Sequence, residues 1–233
     1  SKPLEAMCEM VTDGSHFSPK TSAEGYPYIT VRDIKDGSID FQNCAFIDKL
    51  SYNELCRNGC NPKLGDVLFS KDGTVGKVAL VESTNQFVVL SSLAIVRPKV
   101  EHIDSKYLSY VLRSPSFLAT AIGQKTGVAI RRIILKNLKS ILIPVPPLPE
   151  QRRIVAILDE AFNGIAIAKA NAERNLQNAR AIFESHLQSV FTPCGEEWNS
   201  KTFSACFRLR SGDGLTSKTM KAGNYPVYGG NGI

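Results

Sequence analysis

A chain of 233 residues that is 43% hydrophobic and 21% charged carries enough apolar side chain for one large domain or two smaller ones, which excludes a disordered chain. No run approaches the roughly 18 consecutive apolar residues of a membrane span, and the Ser1-Lys2-Pro3 start is not followed by a signal-type apolar segment, so the chain is expected in the cytoplasm, with no membrane partner. The formal net charge of +6 is too small to define a ligand by itself, and its distribution along the chain carries the information.

Residues 1–149 alternate short β-rich runs with turn signals. Tyr28-Ile29-Thr30-Val31 is followed by the turn pair Asp36-Gly37. Asp66-Val67-Leu68-Phe69-Ser70, Lys77-Val78-Ala79-Leu80-Val81 and Phe87-Val88-Val89-Leu90 are compact β-branched or aromatic segments, the first two separated by Gly73 and Gly76. Tyr107 to Leu112 and Phe117 to Ile122 have helical character and are divided by Ser114-Pro115. The expected fold class is α+β, a mixed domain. Between Asp104 and Glu150 no acidic residue occurs, whereas Lys106, Arg113, Lys125, Arg131, Arg132, Lys136 and Lys139 do. That interval is suited to phosphates and equally to a solvated basic surface.

Ile141-Leu142-Ile143-Pro144-Val145-Pro146-Pro147-Leu148-Pro149 ends the domain, because four prolines stop a strand-like run and force an extended, stiff connection. Residues 150–191 contain no proline and no turn cluster. There Ile154, Leu158, Ala161, Ile165, Ala168, Ala172, Leu176, Ala179, Phe183, Leu187 and Val190 recur every three or four residues, which predicts one long amphipathic helix. At 1.5 Å per residue it runs roughly 60 Å, too long to bury its stripe on one small domain, so it is expected to pair with another helix in coiled-coil fashion. Gly164, Ala166, Ala168, Ala170 and Ala172 predict close approach of that partner.

Residues 192–233 restart the N-terminal pattern. Cys8 to Pro27 holds Asp13-Gly14, Lys20-Thr21 and Gly25-Tyr26-Pro27, and Cys206 to Pro226 holds Asp213-Gly214, Lys218-Thr219 and Gly223-Asn224-Tyr225-Pro226, at an offset of 198 to 200 residues. A domain, a helix and the opening of the same domain predict a tandem repeat whose second copy is incomplete here.

Cys8, Cys44, Cys56, Cys60, Cys194 and Cys206 are scattered without the density of a disulfide-stapled domain, so reduced thiols are expected. Cys56 and Cys60 lack a second ligand pair, and His16, His102 and His186 offer no paired spacing, so no metal site is expected. No phosphate-binding loop of the form Gly-x4-Gly-Lys-Ser/Thr is present, and no motif favours a nucleophile.

The run Ile143-Pro144-Val145-Pro146-Pro147-Leu148-Pro149-Glu150-Gln151-Arg152-Arg153-Ile154 resembles the junction between target recognition domain and long helix in the specificity subunits of type I restriction-modification systems. Gly65-Asp66-Val67-Leu68, Gly73-Thr74-Val75-Gly76 and the stretch from Gly127 to Leu138 resemble those recognition domains, and Tyr225-Pro226-Val227-Tyr228-Gly229-Gly230-Asn231-Gly232 resembles the opening of a second one. The resemblance spans essentially the whole chain, which would cover about half of a member: a first recognition domain (1–149), a spacer and dimerisation helix (150–191) and the start of a second recognition domain (192–233). It implies a subunit without an active site that specifies double-stranded DNA for a DNA adenine methyltransferase (modification) subunit and an ATP-dependent restriction subunit, the assembled complex being a type I endonuclease. S-adenosylmethionine, ATP and magnesium would serve those partners, with no cofactor in this chain.

Within that reading the DNA-facing candidates are Thr12, Asp13, Ser15, His16 and Lys20 in one polar loop, Lys71, Thr74 and Lys77 around the Gly73 and Gly76 turn, and Lys125, Thr126, Arg131 and Arg132 in the basic interval. For the lysines ordinary surface charge is an equal reading, and for any single member of the first loop a plain surface turn is the better one. The unpaired helix stripe implies self-association of the chain. Two other readings stay open, a half-size reader that dimerises on a symmetric site and a coiled-coil protein scaffold without DNA specificity.

Overall fold

The computed structural model describes residues 1–35, 37–123, 132–192, 199–210, 214 and 223. In chain order the elements are β1 (Lys2–Pro3), β2 (Cys8–Asp13), β3 (Tyr26–Ile29), β4 (Ile34–Lys35), β5 (Ser38–Ile39), β6 (Ala45–Ile47), α1 (Lys49–Arg57), β7 (Val67–Ser70), β8 (Val78–Leu80), β9 (Val88–Val89) and β10 (Leu93–Pro98). Then follow α2 (Ser105–Arg113), α3 (Pro115–Gly123), α4 (Leu135–Ser140), β11 (Leu142–Ile143), α5 (Leu148–Phe191) and α6 (Phe203–Cys206). The α+β class expected from the sequence is the one observed.

A four-stranded antiparallel sheet in the order β2-β10-β7-β8 forms the centre. Side chains alternate across a strand, and here both faces are covered. Val67, Phe69, Ala94 and Val96 turn to a core shared with Leu108 and Leu112 of α2, Phe117 of α3 and Leu138 of α4. Leu68, Ala79, Leu93 and Ile95 turn to a second core with Ile29, Phe87 and Val89. Double burial explains why Val67-Leu68-Phe69-Ser70 reads as a continuous apolar run instead of an alternating one. β3, β6 and β9 form a smaller mixed sheet beside the second core, β3 pairing parallel to β9 and antiparallel to β6.

The strand expected at residues 28–31 lies earlier, at Tyr26–Ile29, because Thr30 and Asp33 form a capping box that starts a short helix at Val31. β10, the most buried long strand, is not foreseen from the sequence, because Arg97 and Pro98 break the β pattern. A bulge between Arg97 and Pro98 accommodates the proline. Arg97 then clasps Asp66 through Nε at 2.8 Å and Nη2 at 2.7 Å, a bidentate pair whose carboxylate is 2% exposed.

Two compact units divide the chain, Ser1–Ala170 and Asn171–Ile233. The first includes the opening turns of α5, since Ile154 and Val155 pack on the helix-side core. β11, the strand before the proline run, pairs antiparallel with β1. Gln151, fully buried, accepts from the Asp104 N–H at 2.8 Å and donates to the carbonyls of His102 at 2.9 Å and Pro146 at 2.8 Å. Asp104 in turn caps α2 by accepting from the Lys106 and Tyr107 N–H groups. Two turns further along, Asp159 pairs with Lys106 at 2.8 Å and accepts from the Tyr110 hydroxyl. Desolvation opposes the ionised form of Asp159, but the two donors outweigh it and hold the carboxyl below its ordinary value. Arg113 stacks over Tyr110 and Phe162 at 5.9 and 5.8 Å. Lys106 and Arg113, two members of the basic interval, are thus committed to seating α5.

From Ala161 to Phe191 every residue of α5 is exposed, including Ile165, Leu176, Phe183, Leu187 and Val190 of the expected stripe. The close approach expected at Gly164 is not made by any described residue, since a Cβ there would meet open space. Of the proposed second copy only 199–210, Gly214 and Gly223 are described. The short helix Phe203–Cys206 follows the short helix Leu4–Met7 at the repeat offset seen in the sequence.

Gln151→Ala leaves one buried N–H and two buried carbonyls without their partner, and is expected to lower the unfolding free energy by about 3 kcal/mol, measured by urea denaturation. A loss below 1 kcal/mol would mean that the junction does not depend on this amide.

Candidate nucleic-acid interface

β2 and β7 both run antiparallel to β10, so the ends of β2 and β7 and the start of β10 meet at one edge of the sheet. Asp13 pairs with Ala94 there, and Ser70 with Leu93. Three loops distant in sequence therefore leave from one place: 14–20, 71–76 and 90–92. Their crossing is tight. A Cβ on Gly14 would lie 2.3 Å from the Val89 carbonyl oxygen and 2.4 Å from that of Leu90, so only glycine lets the first loop pass over the third. The Ser15 N–H donates to the Val89 carbonyl at 2.8 Å and the Ser91 N–H to the Ser15 carbonyl at 2.8 Å.

The first loop divides its predicted residues into anchors and tips. Thr12 lies within β2, opposite Ile95. Ser15 is buried, its hydroxyl donating to the Phe17 carbonyl at 2.6 Å and accepting from the Phe17 N–H at 3.1 Å, a local turn. That turn lifts His16 and Phe17 to the surface. His16 approaches Asp13 at 3.4 Å while remaining 67% exposed, and Phe17 is 66% exposed. Lys20 is also exposed.

Lys71 in the second loop and Lys77 just after it are both turned to partners within the protein. Lys71 was expected to present its charge outward, but it is 2% exposed with its Nζ 3.1 Å from Asp13 Oδ1. The contact lies outside hydrogen-bonding geometry, so Oδ1 gains charge compensation but no directed bond. The cause is local. The Lys71 backbone is paired on both sides, donating to the Ser92 carbonyl at 3.0 Å and accepting from the Ile133 N–H at 2.8 Å, which places its side chain beneath the loops. Lys77 donates to the carbonyls of Val31 at 3.1 Å and Ile34 at 2.9 Å, tying the loop to the neighbouring turn. Thr74 is exposed at the loop tip.

Of the basic interval, Lys125, Thr126 and Arg131 lie outside the described residues. Arg132 is described, half-buried, in an antiparallel bridge with Asp72. A cleft of about 450 Å³ opens beside this bridge, lined by Ser18, Thr21, Thr30, Arg32, Asp72, Gly73 and Ser92 among others. The Ser92 hydroxyl has no hydrogen-bond partner among the described residues. Sequence reasoning missed Arg32, Phe17 and Ser92. The Thr30-x-x-Asp33 capping box could have signalled that Arg32 is held on an exposed turn, whereas nothing in the sequence marks Ser92.

The geometry offers cations, hydroxyls and one aromatic ring on a scaffold fixed from below, the arrangement that groups phosphate contacts with base-edge contacts. Among the described residues no group of three or more His, Cys, Asp or Glu side chains could hold a metal ion, and no helix is long and apolar enough to cross a membrane. Cys8, Cys44, Cys56, Cys60 and Cys206 are free thiols, and burial pushes the Cys8 thiol up to about 12 against a smaller opposing effect of Lys99.

The fold is a mixed domain with loops gathered at one end of its sheet, seated through a proline-rich junction on a long helix. The chain belongs to the family of the type I restriction modification DNA specificity domain, whose model matches residues 3–177. It is similar to the putative type I restriction enzyme MjaX specificity subunit of Methanocaldococcus jannaschii, 28% identical over 180 residues, which are 74% of this chain and 41% of that protein. The EcoBI specificity subunit of Escherichia coli is 26% identical over 168 residues, 72% of this chain and 34% of that protein. The crystal structure of the HsdS subunit from Thermoanaerobacter tengcongensis matches with a TM-score of 0.52 at 26% identity, over 72% of this chain and 38% of that one. The match spans between a third and about two fifths of the length of these relatives.

Asp13→Asn would leave the Lys71 ammonium buried without its counter-charge. It is expected to destabilise the fold by about 3–5 kcal/mol, with little dependence on salt because the pair is shielded from solvent ions. Thermal unfolding in low and high salt measures both effects.

Proposed function

We propose that this chain is the DNA-target-recognition part of a type I restriction-modification specificity subunit, reading one half of a bipartite sequence and catalysing nothing itself. The observation that carries the reading is the convergence of three sheet-edge loops around the cleft bearing Arg32, Asp72 and Ser92, with Arg132 bridged at its side, on a domain locked to α5. Family membership supplies the chemistry of the target. In this reading residues 1–149 recognise DNA, 150–191 act as spacer and 192–233 open a second recognition domain. Methyl transfer from S-adenosylmethionine to adenine and ATP- and magnesium-dependent cleavage belong to the modification and restriction subunits that dock on the assembly. Lys20 and Arg32 are suited to phosphate, which sets register and affinity, whereas specificity requires groups that reach base edges.

A helix cannot stretch without breaking hydrogen bonds, so α5, about 65 Å at 1.5 Å per residue, fixes the gap between half-sites. Its exposed Ile165, Ile167, Leu176, Ile182, Phe183, Leu187 and Val190 favour pairing with a second helix. In a second reading that helix comes from another copy of this chain, and the target becomes symmetric.

Mapping methylated adenines genome-wide, in cells carrying this protein with its methyltransferase and in cells lacking the protein, tests the proposal. The expected result is a protein-dependent bipartite motif; an inverted repeat would select the dimeric reading, and unchanged methylation with assembled subunits would select a scaffold. Inserting one helical turn between Ala172 and Leu176 is expected to change the number of unspecified bases, and an unchanged gap would remove the spacer role.

A further inference from the structure

The bridge between Asp72 and Arg132 shows what kind of contact Arg132 makes. Residues 132 and 133 enter the fold as one short extended segment. The Ile133 N–H donates to the Lys71 carbonyl at 2.8 Å and its side chain is fully buried. Side chains alternate along extended backbone. With Lys71 and Ile133 both turned inward, Asp72 and Arg132 turn outward together. Arg132 Nε lies 3.6 Å from Asp72 Oδ2, with the side chains 43% and 26% exposed. No other partner holds this guanidinium among the described residues. Gly73, next to Asp72, has φ +67°, and a Cβ built on it would meet nothing within 4 Å, so no described residue stands over that side of the pair.

We propose that Arg132 reads a guanine in the target DNA, with Asp72 as the positioning carboxylate that holds the guanidinium fork in register. The inference rests on the DNA-reading function proposed above. Charge decides between a base and a phosphate. An arginine that serves to neutralise phosphate gains from carrying a full net charge, because affinity then comes from counterion release. Beside Asp72 the pair is net neutral, and its carboxylate would repel the backbone. It keeps directed donors, and a carboxylate at Nε leaves the terminal Nη groups to form the two parallel hydrogen bonds that guanine O6 and N7 accept in the major groove. Lys20 and Arg32 have no carboxylate within ion-pairing distance among the described residues, so the same surface separates phosphate-type cations from a buttressed one.

The test is selection of duplexes from a random pool by this protein assembled with its methyltransferase, followed by competition binding with Arg132→Gln and Asp72→Asn. Arg132→Gln is expected to lose one guanine preference by about 10- to 100-fold while the other selected positions stay unchanged. Asp72→Asn is expected to weaken the same guanine preference while raising affinity for non-target duplex, a response that a purely structural carboxylate would not give. Circular dichroism and thermal midpoints verify that both variants are folded, and Arg132→Lys, which keeps the charge without the fork, serves as a second variant. If Arg132→Gln weakens all sequences alike and makes affinity less salt-dependent, Arg132 grips phosphate and the proposal is wrong while DNA reading stands. An unchanged motif overturns it equally. If the wild-type assembly selects no motif, the DNA-reading function fails and this inference with it.

Discussion

β7 and β10 lie between two hydrophobic cores, and the rest of the domain follows from covering both their faces. A strand buried on one side exposes its apolar set when it slips by one residue, and one buried on both sides must instead refit its side chains into two close-packed cores. The register Asp13 to Ala94 and Ser70 to Leu93 is therefore a fixed coordinate from which the loops depart. The helices cover one face and the small mixed sheet the other, which leaves the strand ends as the place where loops can vary. Below those ends the polar groups are settled internally: Lys71 against Asp13, Lys77 against two carbonyls, Ser15 against its own turn.

The same economy operates at the junction with α5. Prolines make the connection stiff, but stiffness alone would not orient a helix. Gln151 does so with one amide, joining the carbonyls of His102 and Pro146 to the N–H of Asp104, the residue that also caps α2. Asp159, Lys106, Tyr110, Arg113 and Phe162 repeat the attachment a few turns later through charge and ring contacts. Because Asp159 titrates below its ordinary value in the folded chain, its contribution is present above the unfolded carboxylate pKa and fades as pH falls through the folded one.

Much of this was legible in the sequence, and the unreadable part has a physical reason. β7, β8, α2, α3 and the long helix announced themselves through β-branched runs, periodicity and proline punctuation, whereas β2 did not and its end at Thr12 and Asp13 reads as loop. β10 did not, because a bulge tolerates the Arg97-Pro98 pair that otherwise argues against a strand. α1 was missed although Asp48 caps it by accepting from Leu50 and Ser51 N–H groups, a signal that needs an apolar stripe behind it to be recognised. In the candidate interface the loops were found by composition, but a list of residues does not show which lysines point inward. Lys71 and Lys77 have the composition of contacts and the positions of anchors, and only the pairing of their backbone distinguishes them. Arg32 and Ser92 enter through the convergence of loops, which is a property of topology.

The buried Lys71–Asp13 pair separates inheritance of the fold from inheritance of specificity. Anchors beneath the loops carry the thermodynamic cost of change, while Phe17, His16, Lys20 and Thr74 above them are exposed and bear few of the contacts that hold the core. Mutations at the tips are thereby close to neutral for folding, and drift can sample new sequence preferences without passing through unfolded intermediates. Under the proposed reading, the surface that meets the target can change by single exposed substitutions, with the scaffold held constant beneath.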